Sequence, residues 1–288
     1  MSVHPVPFVV GVGRSGTTLL RLMLDAHPEL AIPPETHFLA ALLKNPPAGA
    51  EDFMTLLTAA HTWADFHLDP AALAAAIAFP PPFDLARAVR VFYRQYAARF
   101  GKERWGDKTP PYLQHIGALS CLLPEARFIH LLRDGRDVAL SYRDKWFGPA
   151  GRQIEEAALF WRERILQGRA QASGLTAGIY LEVRFEDLLA APEATLRRIC
   201  QFLDLPWSPA MLEYHRQADR RLGEMGDRTD GQGQVLIPRE RRLAIHQHTR
   251  RPPDPAQVGK WRLALSAEEV RRFQAVAGDL LLELGYAS

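Results

Sequence analysis

The chain has 288 residues, 47% of them hydrophobic and 24% charged, an ordinary globular composition. A formal net charge of +2 argues against a nucleic-acid-coating surface and against a disordered acidic tail. The length suits a single α/β domain over residues 1–288 that can bury a core without disulfides or structural metals.

In chain order, Phe8-Val9-Val10 is an apolar run ending in glycines and reads as a buried parallel strand, which need not alternate. Thr17 to Ala26 follows with Leu19, Leu20, Met23 and Leu24 at helical spacing, and His27-Pro28 stops it. After a loop at Pro46 to Ala50, Phe53 to Phe100 reads as helices broken at Asp69-Pro70 and Pro80-Pro81-Pro82. This defines a helical cap insertion at about 45–100, with Leu85, Val89, Phe92 and Tyr96 on one face of its last helix. Arg104-Trp105-Gly106 is a short strand ending at Asp107-Lys108-Thr109-Pro110. Arg127 to Leu132 is a strand running into Arg133-Asp134-Gly135-Arg136, then a helix from Asp137 to Lys145. Glu155 to Ala172 is a helix, Ile179 to Phe185 a strand, and Pro192 to Leu203 a helix. Arg220 to Pro255, rich in Gly, Arg and Pro, reads as a long functional loop. It opens a C-terminal loop and helix region at about 220–288. Ser266, with Glu269 three residues on, caps a final helix to about Leu284. Strands alternating with helices predict an α/β three-layer fold of P-loop type, with a central parallel sheet flanked by helices.

Cys121 and Cys200 stand far apart in apolar helical patterns and are expected to be buried, reduced thiols. No Cys/His cluster has metal-ligand spacing. Met1 to Pro7 holds no apolar signal core, and no segment approaches the ~18 apolar residues of a membrane span. A cytoplasmic protein is therefore expected, with no metal, no membrane span and no nucleic-acid partner. Oligomeric state is not readable.

Two turns carry chemistry. The first is Gly11-Val12-Gly13-Arg14-Ser15-Gly16-Thr17-Thr18, where a strand turns into a helix. Backbone N–H groups and the helix dipole favour an anion there, glycines allow close approach, and Ser15, Thr17 and Thr18 add hydroxyl donors. A triphosphate loop would place Lys after the last glycine. Here Thr17 stands there and the basic residue is Arg14, which argues against a small-metabolite kinase. The second is Arg133-Asp134-Gly135-Arg136-Asp137 with Ser141 on the following helix, so that Arg133 and Ser141 can converge on one anion. Asp134 and Asp137 are placed to hold the arginines or cap the helix. Alone, this turn reads more readily as a salt-bridged surface turn.

Together the two turns resemble the 5′-phosphosulfate loop and the 3′-phosphate motif of sulfotransferases that use 3′-phosphoadenylyl sulfate (PAPS). The resemblance is to bacterial, tyrosylprotein and heparan-type enzymes, and it spans about Phe8 to Trp261 with a gap in the cap. It implies that Arg14, Ser15, Gly16, Thr17 and Thr18 hold the 5′ side, while Arg133 and Ser141 hold the 3′-phosphate. Lys145 falls at a further basic contact of the tyrosylprotein enzymes. Phe185, in Phe185-Glu186-Asp187-Leu188, is placed to lie against adenine or to pack in the core. Lys260 and Trp261 resemble the family's C-terminal K-W element. The implied reaction moves a sulfuryl group from PAPS to a hydroxyl or amine acceptor and releases adenosine 3′,5′-bisphosphate (PAP). Its acceptor is a small molecule, sugar, lipid or peptide. A singly charged sulfuryl group does not require a bridging metal.

Such a reaction needs in-line positioning, donors for the leaving phosphate and a base for the acceptor. Glu35, in Pro33-Pro34-Glu35-Thr36-His37-Phe38, resembles the base of heparan-type enzymes. His37 competes for the role, or orients Glu35. Lys108 is placed to reach the sulfuryl group, and Arg14 to clamp it. His130 reads as a satisfied core residue. Trp63, Phe66, Phe92 and Tyr96 are candidate acceptor walls that core packing explains equally well. A non-catalytic PAP- or PAPS-binding module is the alternative.

Overall fold

A computed structural model describes residues 4–143, 153–229 and 234–286. Its elements are β1 (Val6–Gly11), α1 (Thr17–Asp25), β2 (Leu30–Ala31), α2 (Phe38–Lys44), α3 (Ala50–Thr58), α4 (Pro70–Ala76), α5 (Leu85–Ala98), β3 (Arg104–Trp105), β4 (Asp107–Lys108) and α6 (Ile116–Leu122). These are followed by β5 (Ala126–Leu132), α7 (Gly135–Tyr142), α8 (Ile154–Ser173), β6 (Tyr180–Arg184), α9 (Phe185–Ala190), α10 (Pro192–Phe202) and α11 (Ala218–Leu222). The chain ends with β7 (Arg228–Thr229), β8 (Val235–Ile237), α12 (Arg239–Ala244), α13 (Trp261–Ala264) and α14 (Ala267–Glu283).

The central sheet has the order β4-β1-β5-β6, and every pairing in it is parallel. Apolar side chains of the two middle strands go to both faces. Val9, Ile129 and Leu131 pack with α1 and α10. Phe8, Val10 and Phe128 pack with the cap helices and α6. A strand covered on both sides has no polar face to advertise, hence the unbroken run in β1. A third cluster, Val12, Leu132, Trp161 and Phe273 among others, fixes α7, α8 and α14 beside the C-terminal ends of the strands. There both chemical turns emerge, as open parallel sheets require of their ligand sites.

The segment read as one strand at Arg104-Trp105-Gly106 divides. Arg104–Trp105 pairs with β2, side by side with the point where the chain leaves for the cap. Asp107–Lys108 pairs with β1, Lys108 opposite Val9. Gly106 makes the switch possible, because a Cβ there would lie 2.8 Å from the Pro7 carbonyl oxygen. Phe185 begins α9 rather than ending β6. The final helix starts as expected, with a complete Ser266/Glu269 capping box.

Three expectations are corrected. Cys121 is exposed, while Cys200 is buried. The aromatic candidates for acceptor walls belong to the cap's own core: Phe66, Phe92 and Tyr96 are fully buried, and Phe66 and Phe92 meet edge-to-face at 5.1 Å. The stretch 220–255 is not a plain loop but carries a hairpin, a helix and 3₁₀ turns. Buried ion pairs hold it down together with Leu222 and Met225, which join the core against α1. Arg221 makes two bonds to Asp25, at 2.6 and 2.7 Å. Arg242 makes two to Asp65, at 2.9 and 2.5 Å. Such pairs leave no hydrophobic period in the sequence. Among the described residues, no helix is long and apolar enough to cross a membrane.

Candidate functional site

The loop after β1 separates two cavities. The first, of about 420 Å³, is lined by Arg14, Gly16, Thr17 and Thr18 from the loop, Arg133, Asp137 and Ser141 from the second turn, Phe185, and Lys260. The second, of about 370 Å³, is lined by Arg14, Thr17 and Thr18 again, with Glu35, His37, Lys108, Tyr142 and several apolar residues. Both volumes suit small-molecule sites. Ile245 and His246 line both cavities as well, so the segment after α12 is the partition opposite the loop.

The loop geometry follows from its glycines. The N-cap of α1 is Gly16, at φ +94°, and no side chain caps the helix. The first-turn N–H groups are thus available to an anion. A Cβ on Gly16 would sit 2.4 Å from the Phe185 ring, so that residue tolerates no side chain on either ground. Arg14 is left-handed too, at φ +71°. Its Nε donates to Ser141 Oγ at 3.0 Å. Arg133 donates to the Arg14 carbonyl at 3.0 Å and to that of Gln257 at 3.0 Å, and its guanidinium lies over the Phe185 ring at 4.7 Å. The two motifs are therefore one bonded unit.

The aspartates of the second turn divide their work. Asp134 caps α7 through the Arg136 amide at 2.9 Å and pairs with the Arg136 guanidinium. Arg136 is fully buried, 3.7 Å from the Trp261 ring. Asp137 accepts from the Gly259 and Trp261 amides at 2.7 and 2.9 Å. That docks the Val258–Trp261 element and brings Lys260 to the cavity. Trp261 itself is a buried strut and does not line the cavity. Ser15 is likewise buried and lines neither cavity. Lys145 lies outside the described residues.

Glu35, His37 and Lys108 come together in the second cavity. Lys108 Nζ donates to Glu35 Oε1 at 2.5 Å and to Thr18 Oγ1 at 3.3 Å. His37 Nε2 lies 3.0 Å from Glu35 Oε2. The Glu35 side chain keeps 32% exposure while that of Lys108 keeps 4%, so an incoming molecule meets the carboxylate first. Burial alone would raise the Glu35 pKa, but the Lys108 ammonium and His37 overrule it and hold it well below the ordinary carboxylate range. Burial lowers the Lys108 pKa, and Glu35 opposes that shift.

The frame behind this trio was not read from the sequence. The Thr36 hydroxyl donates to Asp107 Oδ2 at 2.8 Å, and Tyr93 donates to the same oxygen at 2.8 Å. The Thr36 amide donates to Thr109 Oγ1 at 2.9 Å. Thr36 and Asp107 are the chain neighbours of Glu35 and Lys108, so this buried network sets the distance between the two functional groups. Burial pushes Asp107 up to about 6 against its hydroxyl donors. His246 was also missed. Burial, with Lys108 and Arg14 nearby, pushes its pKa down to about 3, which leaves a neutral imidazole on the partition. A threonine directly after Glu35 and another directly after Lys108 were the available signal for the frame; nothing local marked His246. His130 is buried, with Nδ1 2.6 Å from the Tyr180 hydroxyl. Among the described residues, no group of three or more His, Cys, Asp or Glu side chains is placed to hold a metal.

A parallel sheet with an anion-binding strand-to-helix loop at its C-terminal ends, poised between two cavities, defines a P-loop-type group-transfer fold. Residues 5–209 match the model of the Sulfotransferase family. The chain belongs to that family, and the group it transfers is sulfuryl. It is similar to nodulation protein NoeE of Sinorhizobium fredii, 29% identical over 99% of this chain and 67% of that protein. It is also similar to protein-tyrosine sulfotransferase 1 of Danio rerio, 27% identical over 98% and 72%. Among solved structures, the sulfotransferase domain of the Synechococcus PCC 7002 olefin synthase shares the fold, with a TM-score of 0.57 and 24% identity over 95% of this chain and 94% of that one. Mouse sulfotransferase SULT7A1 complexed with PAP does so with a TM-score of 0.51 and 14% identity over 96% and 84%.

Proposed function

We propose that the chain transfers the sulfuryl group of PAPS to a hydroxyl or amine acceptor, with PAP as leaving group. The observation that carries this reading is the Lys108–Glu35 pair, set against the phosphate loop on the side away from the Arg133/Ser141 cavity. The first cavity takes the nucleotide. Its 3′-phosphate goes to Arg133 and Ser141, its base lies toward Phe185, and Lys260 closes the site. A PAP-bound relative in the same fold supports the donor.

The acceptor enters the second cavity and gives its proton to Glu35 as its oxygen or nitrogen bonds to sulfur. The bond from sulfur to the bridging phosphate oxygen breaks, and the charge passes to PAP. Arg14, the α1 N–H groups and Lys108 stabilise that charge. Without substrate, Lys108 and Glu35 satisfy each other. A sulfuryl group drawing Lys108 toward the loop removes the cation that depresses Glu35, and the carboxylate becomes a stronger base when it is needed. His37 orients the carboxylate. The protein works without a metal, in the cytoplasm, as a single sulfotransferase domain over residues 1–288.

Incubation with ³⁵S-labelled PAPS, an acceptor panel and chelator tests this. Label transfer with PAP release is expected. Tight PAP binding without transfer to any acceptor would favour a binding module instead.

A further inference from the structure

The second cavity holds more positive charge than the reaction uses. Lys108 is matched by Glu35 and Arg242 by Asp65, while Arg21 donates to the Ile32 carbonyl and shares Glu224 with Arg99 and Arg221. Arg14 stands at the boundary with the nucleotide cavity, where the donor's own anionic groups belong. Two further guanidiniums line the cavity, Arg164 and Arg228, and neither has an acid paired with it among the described residues. Arg164 lies over the Phe160 ring at 5.2 Å. Arg228 has a buried Nε with no hydrogen-bond partner. The charged groups that act on Arg228 are Arg242, Glu35 and Asp65, and both acids are already engaged. His61 also feels Arg228, and burial together with that charge pushes its pKa down to about 4, so it stays neutral and leaves the charge of Arg228 uncompensated. Burial and the like charge of Arg242 both work against the Arg228 cation.

A partly desolvated, unmatched guanidinium is unfavourable until an anion arrives, and its planar fork suits a carboxylate. Much of the remaining wall is apolar, with Pro34, Pro110, Leu113, Phe160 and Met225 beside the polar Gln114, Tyr142 and His246. On the reading that this cavity takes the acceptor, we propose that the acceptor is a small hydroxylated carboxylic acid. Its apolar body lies against the prolines and Phe160. Its carboxylate is held by Arg228, whose charge Glu35 feels, while Arg164, elsewhere on the same lining, adds to the cavity's positive potential. A neutral alcohol of the same shape would leave both guanidiniums unmatched. Arg228 and Arg164 thus act as specificity-determining residues.

The test uses hydroxyphenyl-alkanoic and hydroxyalkanoic acids, each paired with its primary amide. Binding to the PAP-loaded full chain is followed by saturation-transfer NMR, and turnover by label transfer from PAPS. Acids are expected to exceed their amides by about ten- to a hundredfold, the worth of one charge-assisted hydrogen bond. Arg228→Gln and Arg164→Gln should each pull the acid-to-amide ratio toward one. Calorimetric PAP affinity serves as the folding control, since neither arginine lines the nucleotide cavity. Amides that bind as well as acids, a panel in which neither binds, or a ratio untouched by both substitutions would overturn the assignment. Failure of the wild-type chain to bind PAP would instead strike the donor reading, and this one with it.

Discussion

The two cavities are built in opposite ways. The nucleotide side has its phosphate-binding floor in turns that follow strands directly, the loop after β1, the turn after β5 and the start of α9 after β6, and its other wall in the stretch from Ala244 to Lys260. Parallel pairing sets these ends side by side, and a few hydrogen bonds such as Arg133 to the Arg14 carbonyl finish the site. The acceptor side draws on segments far apart in the chain, from Glu35 through Lys108, Tyr142 and Arg164 to Arg228 and His246. On the proposed assignment of the two cavities, the difference teaches that donor binding would rest largely on backbone geometry, whereas acceptor choice would rest on side chains held by ion pairs. The latter can change without disturbing the former.

Glu35→Gln should break the acceptor side alone and have the largest effect. Turnover should fall by about 10²- to 10⁴-fold, the usual worth of a positioned base, while calorimetric PAP affinity stays unchanged. Lys108→Met should also lower turnover, and it sharpens the electrostatic account. Without the ammonium, burial is the leading influence on Glu35, so its pKa rises. The acid limb of the turnover–pH profile should move to higher pH; a limb that moves down would contradict the pairing. Gly16→Ala should break the nucleotide side. The positive φ and the Phe185 contact make it strained by about 1–3 kcal/mol, read as weaker PAP binding with acceptor-side ligands still bound.

His246 on the partition should have the smallest effect. Its folded pKa of about 3 lies below its ordinary 6.5, so between those values the unfolded chain binds the proton that the folded chain refuses. Stability therefore falls as pH drops through that window. His246→Gln should flatten that part of a melting-temperature profile.

The same contrast explains what the sequence made legible. Arg14, Gly16, Arg133 and Ser141 could be found because each stands at a fixed offset from a strand that announces itself by its apolar run. Glu35 and Lys108 were found beside prolines in short turns, but the Thr36–Asp107 network joining them was not, since it pairs residues separated by the whole cap. Ser15 and Trp261 belong to the motifs and line neither cavity, because a motif contains the residues that build its scaffold as well as those that make its contacts. The cap was legible as helices. Yet among the described residues neither cavity is lined by any from 38 to 107, with the cap's aromatic faces turned inward on each other. The roof is the arginine-rich stretch after 220. Its packing by guanidinium–carboxylate pairs leaves no periodic pattern to read.

The central claim is that the first cavity recognises a nucleotide with phosphates at both the 5′ and 3′ positions, and it can be tested without knowing the acceptor. Calorimetric titration of PAP and of 5′-AMP into the wild-type chain and Arg133→Ala should show PAP bound more tightly than 5′-AMP by the wild type. That preference should be largely lost in the variant. Equal affinity of the wild type for the two nucleotides, or an Arg133→Ala chain that keeps the full preference, would contradict the account.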